Sequence, residues 1–563
     1  MRQLVVVALW LAAIAPRSSG CAPPPSRQDS LGVLRWAQHA QWEFERRRRF
    51  GLPSIYTNQS APCDMIGRFC LRHRGVAFER IPGEPLDESR ENLRRILDSA
   101  ATLLPGDDWI AGQRVRYLVD AGDGTAALQA ARSCRGTSWW CAALEGMALH
   151  VTGDFLGAEA AFQKALSQMP AEKRCSWTDL SFLLEESLRS AYRRLGCVER
   201  ADYNRRVWRM ADPLFLTPGN ERWTEHLSRH VWAESESAAV NSFWMPWGRD
   251  LEEMTVRFGW SEKWTREPAR ILETGPPVVN GHEHEPNYHF FPEREPPEDI
   301  GALDESLWDI GKPQPREAYA PRYAQVFERF QPQVARFRRG DSTLAVAAYR
   351  RKDYEFLAQH DFYSALAVVA DDSTSPVVVR SAESGEHIAI LALTPARSAM
   401  LSVETLARDS TIASRWRAVM TRLELRNKAL TISDLLFYEP SSTIATDVYE
   451  AAQTAYGNVL YRDEKVGLYW ELYGQTSRDS VIAVSLTLSP IADNVLKRVI
   501  QALGIGGRPA PLNIRWRENG SAGFLSPRSV VVDISLIPPG RYEVTLQVGE
   551  AAGTTTRRVV EIR

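Results

Sequence analysis

The spacing of hydrophobic residues changes once along the chain, and this change most strongly constrains the fold. Residues 28–213 are rich in Ala, Leu, Glu and Arg, contain few prolines and follow the period of helices. After about residue 333, short apolar segments separated by turn residues follow the period of strands. The chain has 563 residues, a length typical of about three or four domains. We therefore predict a multidomain protein, helical in its N-terminal part and β-rich in its C-terminal part.

One segment of the helical part carries a repeat pattern. Residues 139–170 read WWCAALEGMALHVTGDFLGAEAAFQKALSQMP. They resemble a tetratricopeptide repeat, a helical hairpin whose small residues let the two helices approach closely. Gly146 is the small residue of the first helix and Gly153 lies at the turn, while Ala158 and Phe162 provide the contact from the second helix.

A single repeat cannot bury both of its faces, so neighbouring hairpins are expected. Gly122 and Ala127 repeat the turn and packing positions on one side, and Gly196 and Ala201 repeat them on the other. We predict a TPR-like α-solenoid of about three hairpins over residues 33–213, with a generic helical bundle as the alternative.

The resemblance also implies where a partner would bind. Such arrays present side chains of their first helices to a peptide or protein. The candidate binding face is therefore Leu144, Met147 and Val151.

A region rich in tryptophan and proline, residues 214–332, is expected to link the two parts. Ten prolines fall within residues 268–321, a density that excludes long helices and central strands. Seven tryptophans fall in residues 208–264: Trp208, Trp223, Trp232, Trp244, Trp247, Trp260 and Trp264. So many large aromatic residues indicate an ordered segment packed on other domains rather than a disordered linker.

The C-terminal strand patterns predict two immunoglobulin-like antiparallel β-sandwiches, over residues 333–440 and 441–563. Apolar segments recur at regular spacing between turn residues throughout this part of the chain. Leu430–Phe437 is expected to close the first set of strands.

The N-terminus predicts export. About twelve apolar residues follow Leu4, too few to span a bilayer but typical of a signal peptide, here residues 1–20. Ser18-Ser19-Gly20-Cys21 resembles a bacterial lipobox, which implies lipidation of Cys21, with residues 21–32 as a tether. The predicted location is the periplasm or the outer membrane, as a lipoprotein; the alternative is an exported protein without lipid.

The cysteines agree with an oxidising compartment. Without Cys21 there are six, all within the first 197 residues, and no CxxC motif occurs among them. Pairing of sequence neighbours gives three predicted disulfides: Cys63–Cys70, Cys134–Cys141 and Cys175–Cys197. Buried free thiols are the alternative.

A second family resemblance concerns the region after the helical array. Phe258-Gly259-Trp260, followed by Trp264 and by Gly275-Pro276-Pro277, resembles the signature of exported bacterial GWxTD-domain proteins. Residues 259–263 lack the Thr-Asp pair, so the chain would be a divergent relative. The resemblance implies an exported protein with β domains and supplies no catalytic residues.

Two histidine clusters suggest a zinc site as an alternative function. His226 and His230 lie four apart, on one face of a predicted helix, a spacing that can hold zinc. His282 and His284 alternate in an extended segment and could complete the site. The competing interpretation is that these imidazoles pack beside tryptophans or lie at the surface.

Basic residues are concentrated once, at Arg46–Arg49. This run could contact anionic lipid near the anchor, or form a solvated helix face, which the preceding Glu43 and Glu45 favour.

Composition limits the function further. The formal net charge is −2, so no nucleic-acid partner is expected. We predict a non-enzymatic envelope scaffold that binds a protein or peptide, needs no cofactor and meets the membrane only through its lipid. The alternatives are a zinc-dependent hydrolase of envelope polymers and a carbohydrate-binding module.

Overall fold

The computed structural model describes most of the chain. The described residues are 29–52, 64–71, 86–261, 263–267, 278–282, 288–294, 303, 310–311, 316–324, 326–371, 373–381, 385–409, 411–424, 430–474, 480–491, 511–520, 523–549 and 553–563. None of the helices within them is long and apolar enough to cross a membrane.

The N-terminal part is helical, as predicted. Its helices are α1 (Ser30–Gly51), α2 (Asp87–Leu103), α3 (Asp108–Asp120), α4 (Gly124–Arg132), α5 (Ser138–Thr152), α6 (Phe155–Gln168), α7 (Ala171–Trp177), α8 (Glu186–Tyr192), α9 (Arg200–Ala211), α10 (Glu221–Ser237) and α11 (Arg249–Phe258). Several begin at an N-cap carboxylate or amide that accepts a backbone N–H, including Asp107, Asp123, Asp154 and Asn220.

Helices α5 and α6 form the hairpin that the sequence predicted. A Cβ atom on Gly146 would lie 2.9 Å from ring atoms of Phe162, so only glycine permits this approach. Gly153 ends α5 with φ +84°, a conformation that favours glycine. Ala158 and Phe162 are fully buried between the helices.

The neighbouring hairpins match the predicted turn and packing positions only in part. Between α3 and α4, Gly122 adopts φ +75° and Ala127 is fully buried, as expected. After α8, however, Ala201 is exposed, contrary to its predicted packing position. Disulfides join Cys134 to Cys141 and Cys175 to Cys197, as predicted.

The helical region extends beyond residue 213, to Phe258. Helix α10 packs against α3, α5 and α6, and fourteen of its seventeen residues are buried. The segment around His289 is fixed to α10 by Glu317, which accepts from Arg222 at 2.6 Å and from the backbone N–H groups of Phe290 and Phe291. These contacts explain why part of the proline-rich region is ordered.

The described chain after Phe258 is β-rich, with two short α-helices, and one small hairpin, residues 64–71, lies between α1 and α2. The strands are β1 (Asp64–Ile66), β2 (Phe69–Leu71), β3 (Lys263–Glu267), β4 (Val278–His282), β5 (Val326–Glu328), β6 (Gln333–Arg339), β7 (Ser342–Arg350), β8 (Phe362–Val369), β9 (Val377–Ser381), β10 (His387–Thr394), β11 (Ser398–Ala407), β12 (Ile412–Thr421), β13 (Thr431–Ile432), β14 (Leu436–Tyr438), β15 (Val459–Leu460), β16 (Lys465–Tyr473), β17 (Val481–Pro490), β18 (Leu512–Asn519), β19 (Leu525–Asp533), β20 (Gly540–Val548) and β21 (Thr554–Ile562). The helices are α12 (Glu355–Gln359) and α13 (Val448–Gln453).

The strands form four larger sheets. The first two have the orders β10-β7-β6 and β5-β12-β11-β8-β9. In the third, β16 pairs with β13, β14 and β19, and the fourth has the order β15-β21-β20-β17-β18. Pairing among the described strands is antiparallel except for β5 with β12 and β15 with β21.

The segment around residues 431–438 does not close the first set of strands. Thr431 and Ile432 pair with Tyr473 and Leu472 of β16, and β14 pairs with the same strand. The two sets also share a core, in which Phe337 of β6 packs near Tyr469 of β16. The strand pattern alone did not specify which neighbour each strand would pair with.

Buried polar contacts fix the β region against the helices. Arg417 on β12 donates to the carbonyl oxygens of Met210 at 2.8 Å and Asp212 at 2.7 Å. The backbone N–H of Leu216 donates to buried Glu404 on β11 at 2.7 Å. This contact brings the end of β11 to the helical region.

Candidate functional site

A cavity of about 570 Å³ lies where the helical hairpin, α10, the end of α11 and β11 meet, and we call it the junction cavity. Its volume is typical of ligand pockets. Its lining residues are His150, Val151, Thr152, Gly153, Asp154, Phe155, Leu156, Thr217, Pro218, Glu225, Arg229, Phe258, Gly259, Trp260, Tyr319, Ala320, Arg322, Tyr323 and Leu406.

Three buried side chains of this lining form one group, in which Arg229 and His150 both contact Glu225. Glu225 accepts from Arg229 Nε at 2.6 Å and lies 2.7 Å from His150 Nε2. The second ring nitrogen of His150 lies 2.9 Å from the Thr224 hydroxyl. Burial alone would raise the pKa of Glu225, but the charge of Arg229 and the hydrogen bond from His150 lower it below its ordinary value. Glu225 is therefore an ionised, fully partnered carboxylate.

The same arginine shapes the wall of the junction cavity. Its Nη1 donates to the carbonyl oxygens of Val256 and Arg257, at 3.1 and 2.8 Å, and its Nη2 donates to that of Ala318 at 2.8 Å. Carbonyls at a helix end lack intrahelical partners, so Arg229 caps α11. Gly259 then turns the chain with φ +92°, a conformation that favours glycine, and leads into Trp260.

Aromatic residues supply much of the remaining wall. Trp260 stacks on Trp232 of α10, with ring centroids 5.1 Å apart and planes inclined by 13°. The Tyr323 hydroxyl donates to Glu221, which lies behind the lining. Burial raises the pKa of Glu221 well above its ordinary value, despite this hydrogen bond.

The first turn of α6 forms an apolar edge of the junction cavity. Leu156 is 59% exposed there, beside half-buried Phe155 and Val151. Behind it the loop before α10 passes very close, because a Cβ atom on Gly219 would lie 2.7 Å from the Leu156 nitrogen. Only glycine allows this contact, and Gly219 has φ +86°.

The predicted binding face has a different role. Leu144 and Met147 are fully buried in one core with Leu227 and Val231, both from α10. They cannot contact a partner because α10 of the same chain covers them. Of the three predicted residues, Val151 lines the junction cavity.

His226 and His230 lie on α10 away from the junction cavity lining. Both are buried, with Trp177 stacked on His230 at 5.6 Å and Trp208 at 4.9 Å from His226. His226 Nε2 lies 3.1 Å from the carbonyl oxygen of Trp177. This arrangement matches the interpretation that the two imidazoles pack beside tryptophans.

The other predicted metal ligands fall largely outside the description. His282 belongs to β4, but its side chain and all of His284 lie outside the described residues. Within the described part, no group of three or more His, Cys, Asp or Glu side chains is placed to hold a metal ion.

Of the remaining predicted residues, some lie outside the described part of the chain and others lie within it. Cys21 and Cys63 lie outside the described residues, so the lipidation site and the Cys63–Cys70 bond do too. Most of the seven tryptophans are buried or half-buried, whereas Trp244 is 39% exposed. A flat surface of exposed, coplanar indoles is not found among those described.

Sequence reasoning did not identify His150, Glu225 or Arg229 as site residues. The signal available in the sequence was the spacing of Glu225 and Arg229, which lie four apart on one helix and form an ion pair. Nothing in the sequence connects this pair to His150.

The chain matches no protein-family model, and no curated protein shows significant similarity to it.

Proposed function

We propose that this protein is a non-enzymatic scaffold of the bacterial cell envelope, which binds a protein or peptide partner through the junction cavity. A lipid on Cys21 would anchor it, and without that lipid it would be an exported soluble protein. The observation that carries the proposal is the cavity itself, whose volume of about 570 Å³ can accept a large apolar side chain.

The chemistry of the lining supports binding over catalysis. Arg229 uses its donors on Glu225 and on backbone carbonyls, and both ring nitrogens of His150 have partners. These polar groups therefore hold the shape of the site, and Phe155, Leu156 and Trp260 provide apolar contact area. We expect the partner to present an aromatic or long aliphatic side chain.

Several features support the finer architecture proposed here. The close approach at Gly146 and the turn at Gly153 favour a tetratricopeptide-like hairpin. Antiparallel sheets packed face to face around residues such as Leu366 and Leu486 favour two β-sandwiches. The Phe258–Trp260 element lies at the junction cavity, where a divergent GWxTD-like region would have a binding role.

Selection of displayed peptides tests this function. Random peptides would be selected on the immobilised full chain, with its disulfides intact, and then tested for binding by fluorescence anisotropy. We expect selected peptides to share an aromatic or aliphatic residue and to bind Leu156→Asp at least about tenfold more weakly, because a charge would enter the apolar edge. Leu536→Asp is the matched control, since Leu536 is 93% exposed and does not line the junction cavity.

Failure to enrich any peptide would contradict the proposal. So would equal binding of the selected peptides to Leu156→Asp and to the Leu536→Asp control.

A further inference from the structure

The outer face of α1 carries a stripe of exposed residues. Leu31, Arg35, His39, Trp42, Arg46 and Phe50 follow one another at intervals of three or four residues, so they lie on one side of the helix. All six are exposed, including Leu31 at 64%, Trp42 at 37% and Phe50 at 61%. We call these six residues the α1 stripe.

The buried face of α1 accounts for the rest of the helix. Val33, Ala37 and Phe44 pack with residues of α2 and α3 in one core. The arginine run is divided between the two faces, contrary to the expected solvated face. Arg48 binds Asp120 and Arg49 donates to the carbonyl oxygen of Phe243, whereas Arg46 points outward.

The composition of the α1 stripe is that of a membrane-surface helix. It combines three large apolar side chains with two arginines and a histidine, and it contains no acidic residue. Indoles and arginines are favoured where apolar lipid meets charged head groups. The positive charge of the stripe is complementary to anionic phospholipid.

Trp244 extends the α1 stripe from a different part of the chain. Its ring lies 6.1 Å from that of Trp42, and it is 39% exposed. Its φ of +58° is the one positive value outside glycine in the described residues. Such a conformation is costly for a bulky residue, so the fold holds an indole outward against a local penalty.

The geometry of the two indoles argues against a sugar site. Their planes are inclined by 50°, so they do not form one flat stacking surface. Arg46 lies over Trp42 at 5.3 Å and Arg49 over Trp244 at 6.0 Å, which places cations beside both rings.

We propose that the α1 stripe and Trp244 form a binding site for the surface of a bilayer that contains anionic phospholipid. Arg35 and Arg46 would contact lipid phosphates, and Leu31, Trp42, Phe50 and Trp244 would enter the interface. Cys21 precedes α1 by nine positions, so a lipid there would hold the helix near the same surface. The site is separate from the junction cavity and does not depend on the function proposed for it.

Vesicle flotation tests the site without the covalent lipid. The full chain carrying Cys21→Ser would be mixed with vesicles of phosphatidylcholine alone, or of equal amounts of phosphatidylcholine and phosphatidylglycerol. We expect flotation with the anionic vesicles, weakened by high salt, and at least about tenfold weaker binding for Arg35→Glu/Arg46→Glu. The apolar run after Leu4 is present in every variant, so its contribution is common to all.

The matched control has the same change of charge at another surface. Arg517→Glu/Arg557→Glu alters two exposed arginines on β18 and β21, and we expect its binding to stay within about twofold of the parent chain. Trp244→Gly should weaken flotation while leaving thermal stability unchanged or raised, because glycine adopts the positive φ without strain.

Absence of flotation with anionic vesicles would overturn the proposal. Equal flotation of the Arg35→Glu/Arg46→Glu variant and the Arg517→Glu/Arg557→Glu control would overturn it too.

Discussion

Helix α10 buries titratable residues on two sides, and the buried groups are charged and paired on one side but neutral on the other. Towards the junction cavity, Glu225 is ionised and lies between Arg229 and His150. Towards Trp177 and Trp208, His226 and His230 pack against aromatic rings, and one nitrogen of each ring has no hydrogen-bond partner in the described structure. The buried side chains on one side therefore form ion pairs, and those on the other side are neutral imidazoles packed against aromatic rings.

The difference shows what each side tolerates. Removing one member of a buried ionic group leaves another charge without compensation, which is costly at every pH where it stays ionised. A neutral buried imidazole costs little until acid supplies a proton.

The largest effect is expected on the ionic side. Arg229→Met removes the charge that compensates Glu225 and the donors that bind the carbonyls of Val256, Arg257 and Ala318. We expect the free energy of unfolding to fall by about 3–5 kcal/mol, measured by urea denaturation. Arg132→Met, which breaks a pair with the partly exposed Glu145, should cost less than about 1 kcal/mol. Similar losses for both variants would show that the buried group has no special role.

The second-largest effect is a pH dependence of the free energy of unfolding, which arises on the neutral side of α10. Burial, followed by the charge of Lys173, lowers the pKa of His230 to about 3 in the folded protein. In the unfolded chain the imidazole titrates near its ordinary value of about 6.5, so unfolding takes up a proton below that pH. The stability that neutral, buried His230 contributes is fully present above about pH 6.5 and is lost as the pH falls towards 3.

His230→Phe should remove this dependence while preserving the stacked ring. Between pH 6.5 and 5, we expect its free energy of unfolding to fall by about 2 kcal/mol less than that of the parent chain. Urea denaturation at the two pH values measures the difference, and parallel losses in both proteins would mean that His230 is not neutral in the fold.

A smaller change removes one hydroxyl on the ionic side. Thr224→Val keeps the shape of a fully buried side chain but removes the hydroxyl that donates to the carbonyl oxygen of Glu221 and lies next to His150 Nδ1. We expect a loss of about 1 kcal/mol in the free energy of unfolding. An unchanged free energy of unfolding would indicate that the Thr224 hydroxyl does not stabilise the fold.

The smallest effect on stability belongs to the edge of the junction cavity. Leu156→Asp should change the free energy of unfolding by less than about 0.5 kcal/mol, because the side chain is mostly exposed. A larger loss in thermal or urea denaturation would mean that Leu156 supports the ionic side of α10 as well as a ligand.

Local features of the fold were predictable from the sequence. The turn at Gly153, the close approach of Gly146 to Phe162 and the Cys134–Cys141 bond all join residues near in sequence. The division into a helical and a β-rich part was likewise visible in the hydrophobic period.

The candidate site was not predictable in the same way. His150 and Glu225 come from different helices, and the residues that approach them include Tyr319 and Leu406. Hydrophobic period reports which side of a helix is buried, but it carries no information on which distant charge compensates a buried one. The pairing of Thr431 with β16 has the same explanation, because strand pattern does not identify the neighbouring strand.

The cover that α10 places over Leu144 and Met147 has a consequence for competition. An outside peptide aimed at that face would have to displace a segment of the same polypeptide, present at an effective concentration of roughly millimolar. A partner of the kind proposed above would therefore meet less competition at the border of the covered face, where Val151 and Leu156 lie.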